Sequence, residues 1–361
     1  ITIKESLAGF LVAEVVLALT IAVTVWSNRS DYEVLNGAVE NKYSKRVSCS
    51  HSYPCNCRTV KSGNSTSTVC DTCYSHLYDV DWVVKSNVGS LRIDRVNSQG
   101  TIEPPRFTEV ILGEPFAMSH SYQNYILGAR DSLFGSRLTP EQSAKMPSYG
   151  DVYDYYRFDH TILYGNVNVD QKIWNNLLSN TLISLGNLKQ VNIRVVFTDK
   201  TEEFVDKLES HFIGGKKNDV TIVYGVTGDT INYVRAFTFA RSYGNELTVV
   251  ELRDSLFALG NISEPDKHVE VMSHVIEKTY KRTPMEHFEY LASASDVSAS
   301  QLIYVLIFAL VISAGINFML HHNDFLKRKK YENFNCSWCV TDGLVDCWFC
   351  GSWADICLLL Q

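Results

Sequence analysis

The sequence predicts an α+β, membrane-anchored chain in which two transmembrane helices flank a Cys-rich β region and an α/β domain. Three observations lead there. Apolar blocks stand at Ala8–Trp26 and Leu302–Leu320, Cys and His crowd between Arg46 and Val80, and helix and strand patterns alternate from Trp174 to Arg282. Composition sets the outer limits. With 33 basic against 40 acidic side chains, a net charge of −7 and a pI near 5.8, the chain lacks the basic footprint of a DNA or RNA binder. Mean hydropathy of −0.07 conceals the two apolar blocks, because the residues between them are polar.

Residues 1–7 form an N-terminal stub. The chain opens on Ile1 rather than methionine, so a natural start upstream is expected. Residues 8–26 and 302–320 each reach about 28 Å as a helix, enough for a bilayer core of about 30 Å. A cleaved signal peptide is the alternative for the first block, but no small-x-small site follows it, only Trp26-Ser-Asn-Arg29. Glu14 is the single charge in that block, and facing lipid it would cost about 2.5–3.5 kcal/mol. Asn317, Ser313 or another copy of the chain are its expected partners. Lys327-Arg328-Lys329-Lys330 follows the second block and marks the cytoplasmic side. Two spans then place the C-terminus inside and the bulk of the chain outside, in an integral membrane protein.

Residues 27–165 read as a Cys-rich, mainly β extracytoplasmic region. Cys55-x-Cys57 and Cys70-x-x-Cys73 form two short pairs, with Cys49, His51 and His76 as alternate ligands. Two such knuckles can offer four thiolates to a structural zinc ion. Disulfides compete with that reading, since an oxidising compartment preserves them and five cysteines leave one over. From Asp79 onward, alternating apolar and polar residues broken by Gly and Pro predict several strands, with a turn at Val96–Gly100. The Tyr-rich stretch Tyr149–Tyr164 carries Asp151, Asp154, Asp159 and His160 without fixed ligand spacing, and reads as packing surface.

Residues 170–292 change character. Trp174–Leu188 has helical spacing, Val191–Phe197 is a strand, and Thr201–Phe212 is an amphipathic helix whose Phe204, Val205, Leu208 and Phe212 form one stripe. Strands at Val220–Val226 and Ile231–Ala240 precede helices at Leu247–Leu259 and Lys267–Arg282. That order predicts an α/β layer. The loops Ile213–Asp219 and Gly225–Asp229 are expected at one edge, which makes Asp219 and Asp229 the candidate catalytic acids.

The strand VNIRVVF, the helix ending in His211-Phe-Ile-Gly214, the Lys/Asn turn after it, and the strands VTIVYGV and INYVRAF resemble the TPM domain, an α/β module of membrane proteins. The resemblance covers about Trp174 to Arg282, and the apolar block Leu302–Leu320 supplies the C-terminal anchor common in that family. It implies an extracytoplasmic location and, in some members, phosphatase or calcium-binding activity. The two-span layout with its Cys-rich insertion is similar to uncharacterised membrane proteins encoded by tailed bacteriophages.

Residues 321–361 form a cytoplasmic basic and Cys-rich tail. Cys336, Cys339, Cys347 and Cys350 make a CxxC-x7-CxxC pattern that suits a second zinc site. A reading-frame error after Asn335 would produce the same abrupt change of composition. No Walker loop, nucleophile elbow, HExxH or Rossmann fingerprint occurs. The expected function is therefore a membrane-anchored scaffold or interaction protein. A TPM-type metal-dependent phosphohydrolase is the alternative, and a holin-like or transport role through Glu14 is a further one. Expected partners are the membrane and a protein or second copy meeting the transmembrane helices, with structural zinc as the cofactor and no nucleic acid.

Overall fold

A computed structural model describes residues 3–62, 65–128, 138–239, 244–294 and 299–322. In chain order its elements are α1 (Ile3–Asn28), β1 (Ser30–Val47), β2 (Ser52–Ser62), β3 (Ser65–Tyr74), β4 (Asp79–Ser86), β5 (Ser90–Ile93), β6 (Pro115–Gln123), β7 (Thr161–Tyr164), α2 (Gln171–Lys189), β8 (Asn192–Thr198), α3 (Glu203–Phe212), β9 (Asp219–Thr227), β10 (Thr230–Thr238), α4 (Glu246–Phe257), α5 (Pro265–Thr279) and α6 (Ala299–His322). The described residues fall into two units, residues 3–21 with 299–322 in one and those between in the other.

The first unit contains most of α1 and all of α6. Phe10–Asn28 and Ser300–Met319 are long and apolar enough to cross a membrane. Two of their polar side chains bond back to the carbonyl of the preceding turn. Thr20 Oγ1 donates to the Val16 carbonyl and Asn317 Nδ2 to the Ser313 carbonyl, each at 2.9 Å. Asn317 thus has a partner on its own helix, and Glu14 is exposed.

In the second unit two four-stranded sheets carry the core. The first is antiparallel in the order β5-β4-β1-β6. Strand β1 serves both neighbours: Ser30–Ala38 pairs with β6, and Val39–Val47 pairs with β4 across a bulge. The second sheet has the order β10-β9-β8-β7, parallel through β7, β8 and β9 and antiparallel at β10. Strand β8 is buried along its whole length because helices cover both faces. Trp174, Leu178, Leu182 and Leu185 of α2 cover one face together with α4 and α5. Phe204, Val205, Leu208 and Phe212 of α3 cover the other, against Val196, Val223 and Phe237, as the sequence stripe predicts. Asp170 caps α2, its Oδ1 accepting from the Lys172 and Ile173 amides.

The sequence assigns residues up to 165 to the Cys-rich β region, yet β7 is the edge strand of the α/β sheet. Its four residues, Thr161–Tyr164, are too few for a periodic signal inside a Tyr-rich stretch. Buried polar contacts join the two sheets into one layered body. Asn36 Nδ2 donates to Asn192 Oδ1 at 3.0 Å, Asn218 Nδ2 donates to the Val34 carbonyl at 2.7 Å, and Lys216 pairs with Asp31. Helix α2 approaches β1 closely at Gly186, where a Cβ would lie 2.6 Å from the Asn36 carbonyl oxygen, so any side chain there would force the elements apart.

Strands β2 and β3 form a separate hairpin. At about 3.3 Å per residue it is roughly 35 Å long, and it is exposed over nearly all of its length. Cys55–Cys73 and Cys57–Cys70 are disulfides, which corrects the expectation of a zinc ion held by Cys55, Cys57, Cys70 and Cys73. The register explains why. Cys55 pairs with Asp71 and Arg58 with Val69, so two residues of β2, Asn56 and Cys57, face one residue of β3, Cys70, and Asn56 takes a left-handed φ of 48°. That bulge flips the side-chain parity. Cys55 and Cys73 share one face of the hairpin, Cys57 and Cys70 share the other, and four sulfurs on opposite faces cannot meet at one ion.

Candidate metal centre

The hairpin leaves the first sheet after β1 and rejoins it at β4, where Val47 pairs with Asp79. Its two connecting segments bring the alternate ligands together. Cys49 and His51 lie in the outgoing segment and His76 in the returning one, and Asp79 opens β4. One ligand atom from each lies within 4.8 Å of all the others. His76 Nδ1 is 3.7 Å from Cys49 Sγ and 3.3 Å from Asp79 Oδ1, and His51 Nδ1 is 4.0 Å from the sulfur and 3.4 Å from Asp79 Oδ2. Around a tetrahedral ion with bonds of about 2.0–2.3 Å, neighbouring ligand atoms stand about 3.3–3.7 Å apart. Three of these four distances fall in that range, and the His51–sulfur distance of 4.0 Å is slightly longer.

Each side chain is aimed by its surroundings. Asp79 is fully buried, and its Oδ2 accepts from the Ser50 amide at 2.9 Å, from Ser50 Oγ at 3.0 Å and from Arg95 Nη1 at 2.8 Å. The Ser50 N–H, followed by the Ser50 hydroxyl and Arg95, holds the Asp79 carboxyl well below the usual carboxylate range. Asp79 Oδ1 is buried and makes no hydrogen bond, with His76 Nδ1 standing 3.3 Å away. Such an atom costs free energy unless something else satisfies it, and a cation at the centre of the group would do so. Cys49 is a buried free cysteine whose sulfur accepts from the His51 amide at 3.4 Å. Arg95 also binds Asp81 Oδ1 at 2.7 Å, so one guanidinium fixes both acids on the face of β4 opposite Trp82 and Val84.

A nucleophilic Cys-His-Asp arrangement is the chemical alternative. It needs one imidazole nitrogen toward the sulfur and the other toward the carboxylate, so that a proton can pass through the ring. Here the same atom, Nδ1, faces both in each histidine. That convergence suits a central ion and does not suit a relay. The group can hold a metal ion, with two nitrogens, one sulfur and one carboxylate oxygen as ligands. Hard cations that take all-oxygen shells fit it poorly.

The sequence singles out Cys49, His51 and His76 but passes over Asp79, which reads as the start of a strand. A signal was present: Asp79 and Asp81 fall at alternate buried positions of β4, where an unpaired acid is rare. The candidate catalytic acids do not converge. Asp219 begins β9 and Asp229 lies beyond its other end, so a nine-residue strand of about 26 Å separates them, and the expected single edge does not form. Asp219 is buried and fully engaged, whereas Asp229 sits in an exposed turn. Cys336, Cys339, Cys347 and Cys350 lie outside the described residues. Comparison of the chain with protein families, curated proteins and solved structures finds no match.

Because Arg95 orients Asp79 from behind, Arg95→Gln is expected to weaken metal binding by about 10–100-fold, as loss of an outer support typically does. Competition with a chromophoric chelator measures this. Unchanged affinity would mean that Ser50 alone sets the carboxylate.

Proposed function

We propose that this chain is an integral, two-span membrane protein whose extracytoplasmic part presents the β2–β3 hairpin as a rigid arm to a protein partner, with zinc at the Cys49, His51, His76 and Asp79 group. The observation that carries this reading is the hairpin itself. A two-stranded hairpin is marginal in water on its own, and this one has no core beneath it. It is stitched by two disulfides and shows Tyr53, Val60, Val69 and Tyr74 to solvent, each at least 40% exposed. Rigidity without a core is what presentation to a partner requires, since a preformed arm loses little entropy on binding.

Two independent features favour the orientation. Lys327–Lys330 would remain on the cytoplasmic side, and disulfides persist only where the compartment oxidises thiols. Both favour an outside location for the residues between the spans. A TPM-like character of the α/β layer belongs to the same reading and draws on the helix and strand order of residues 171–238. The phosphohydrolase alternative has lost its paired acids. The holin-like or transport alternative rests on Glu14 and the two apolar helices.

The test joins topology to contact. Protease added to spheroplasts expressing the full chain should degrade the residues between the spans and spare a tag after Gln361. Photo-crosslinking side chains at Val60 and Val69 should give an adduct in the host membrane that the same probe at Asp229 does not give. A protected middle region, or an arm that crosslinks no better than Asp229, would overturn the reading.

A further inference from the structure

We propose that the metal held by Cys49, His51, His76 and Asp79 is a latch that closes the base of the arm and keeps the fifth cysteine out of disulfide exchange. The inference rests on the zinc-site part of the reading above and is independent of any partner. Five cysteines occupy residues 49–73. Each choice of the unpaired one leaves three pairings for the other four, so an oxidising compartment offers many products. The structure holds a single pattern, Cys55–Cys73 and Cys57–Cys70, with Cys49 unpaired.

The threat to that pattern is Cys49 itself. Its thiolate can attack Sγ of Cys73, forming a Cys49–Cys73 bond, breaking Cys55–Cys73 and releasing Cys55 as a thiolate. The step trades one disulfide for another and one thiolate for another, so it needs no external oxidant. Backbone pairing is one barrier. The Ser75 amide bonds the His51 carbonyl at 3.0 Å and Tyr74 lies opposite Ser52, so the two segments are held together between Cys49 and Cys73. Exchange therefore requires the two connecting segments to part.

The ligand set is arranged to prevent that parting. Cys49 and His51 come from the segment entering the hairpin, while His76 and Asp79 come from the segment leaving it and the strand that follows. An ion bound to all four ties the segments across the base and occupies the sulfur that would attack. Asp79 Oδ1 on the returning side, buried, without a hydrogen bond and facing His76 Nδ1, is the atom left for that bond.

The experiment uses the full chain in detergent with zinc as the probe. Metal content, free thiols and the disulfide map by peptide mass spectrometry are read before and after prolonged chelation at pH 8, for wild type, His51→Ala with His76→Ala, and Cys49→Ser. Zinc-loaded wild type should give the two native bridges and a free Cys49. Chelated wild type and the double histidine variant should accumulate bridges that include Cys49, and zinc added back before exchange should prevent this. Cys49→Ser should keep the native bridges with or without metal, which separates exchange from unfolding. A wild type that binds zinc but keeps its native map after chelation overturns the latch and leaves the zinc site standing. A double histidine variant with the zinc content of wild type overturns both.

Discussion

Replacing Asp219 by alanine is expected to destabilise the chain by about 3–5 kcal/mol, the range for uncovering a buried charge network, whereas Asp229→Ala should stay within about 0.5 kcal/mol. Asp219 is 1% exposed. Its two carboxylate oxygens each accept from the Tyr149 hydroxyl at 2.8 Å, and it also accepts from Asn192 Nδ2 at 2.9 Å and the Lys216 amide at 2.8 Å. Burial pushes its carboxyl upward in pKa, while the Lys216 N–H, Asn192, Tyr149 and nearby Arg194 pull it back. Alanine would strand those donors and remove negative charge from the surroundings of Arg194. That guanidinium is itself buried, with its carbon 4.6 Å from the centres of the Tyr149 and Phe158 rings, and it donates to the carbonyls of Tyr149 and Asp159. Asp229 has no such setting. Urea midpoints of the two variants check the contrast, and equal midpoints would remove Asp219 from its structural role.

The same residue marks a limit of reading this fold from sequence. Asp219 stands between a Lys/Asn turn and an apolar strand, where an acid looks like a loop residue open to solvent. Its burial comes from Tyr149, 70 positions away in sequence, and no local pattern announces such a partner. Helix α3 was legible because Phe204, Val205, Leu208 and Phe212 repeat at helical spacing, and β8 and β9 because continuous apolar runs suit strands covered on both faces. Strand β1 was not. Its outer half, Glu40–Val47, is mostly exposed and polar, and only pairing with β4 holds it extended.

The metal ligands were half legible for a comparable reason. Local density drew attention to the cysteines, but spacing alone cannot tell knuckles from a hairpin. The deciding feature is one bulge at Asn56, which sends the two pairs to opposite faces. Once those four sulfurs are bonded to one another, the residues that had been spare are the ones left free to converge. Asp79 joins them because the returning segment ends where β4 begins, a fact of topology that the linear sequence does not carry.

Acid is expected to unfold the larger unit, residues 22–298, through His160, with stability falling by about 1.4 kcal/mol per pH unit over most of the interval below pH 6.5. His160 is 1% exposed, with its Nδ1 3.0 Å from the Ile193 carbonyl. Burial, and then the positive charge of Arg194, lower its pKa from 6.5 to about 3. The folded state therefore keeps the ring neutral while the unfolded chain protonates it. The stability associated with this group is complete above pH 6.5 and is lost as the pH falls toward 3, so between pH 6.5 and 4 it amounts to about 3 kcal/mol. His268, also depressed mainly by burial, adds to the slope in the same direction. The measurement is the urea midpoint against pH for wild type and His160→Gln. The substitution itself costs stability at pH 7, but glutamine cannot titrate, so the variant's curve should be flatter by about one proton's worth. Parallel curves would show that His160 is protonated in the folded protein and that its contact with Ile193 contributes nothing to acid sensitivity.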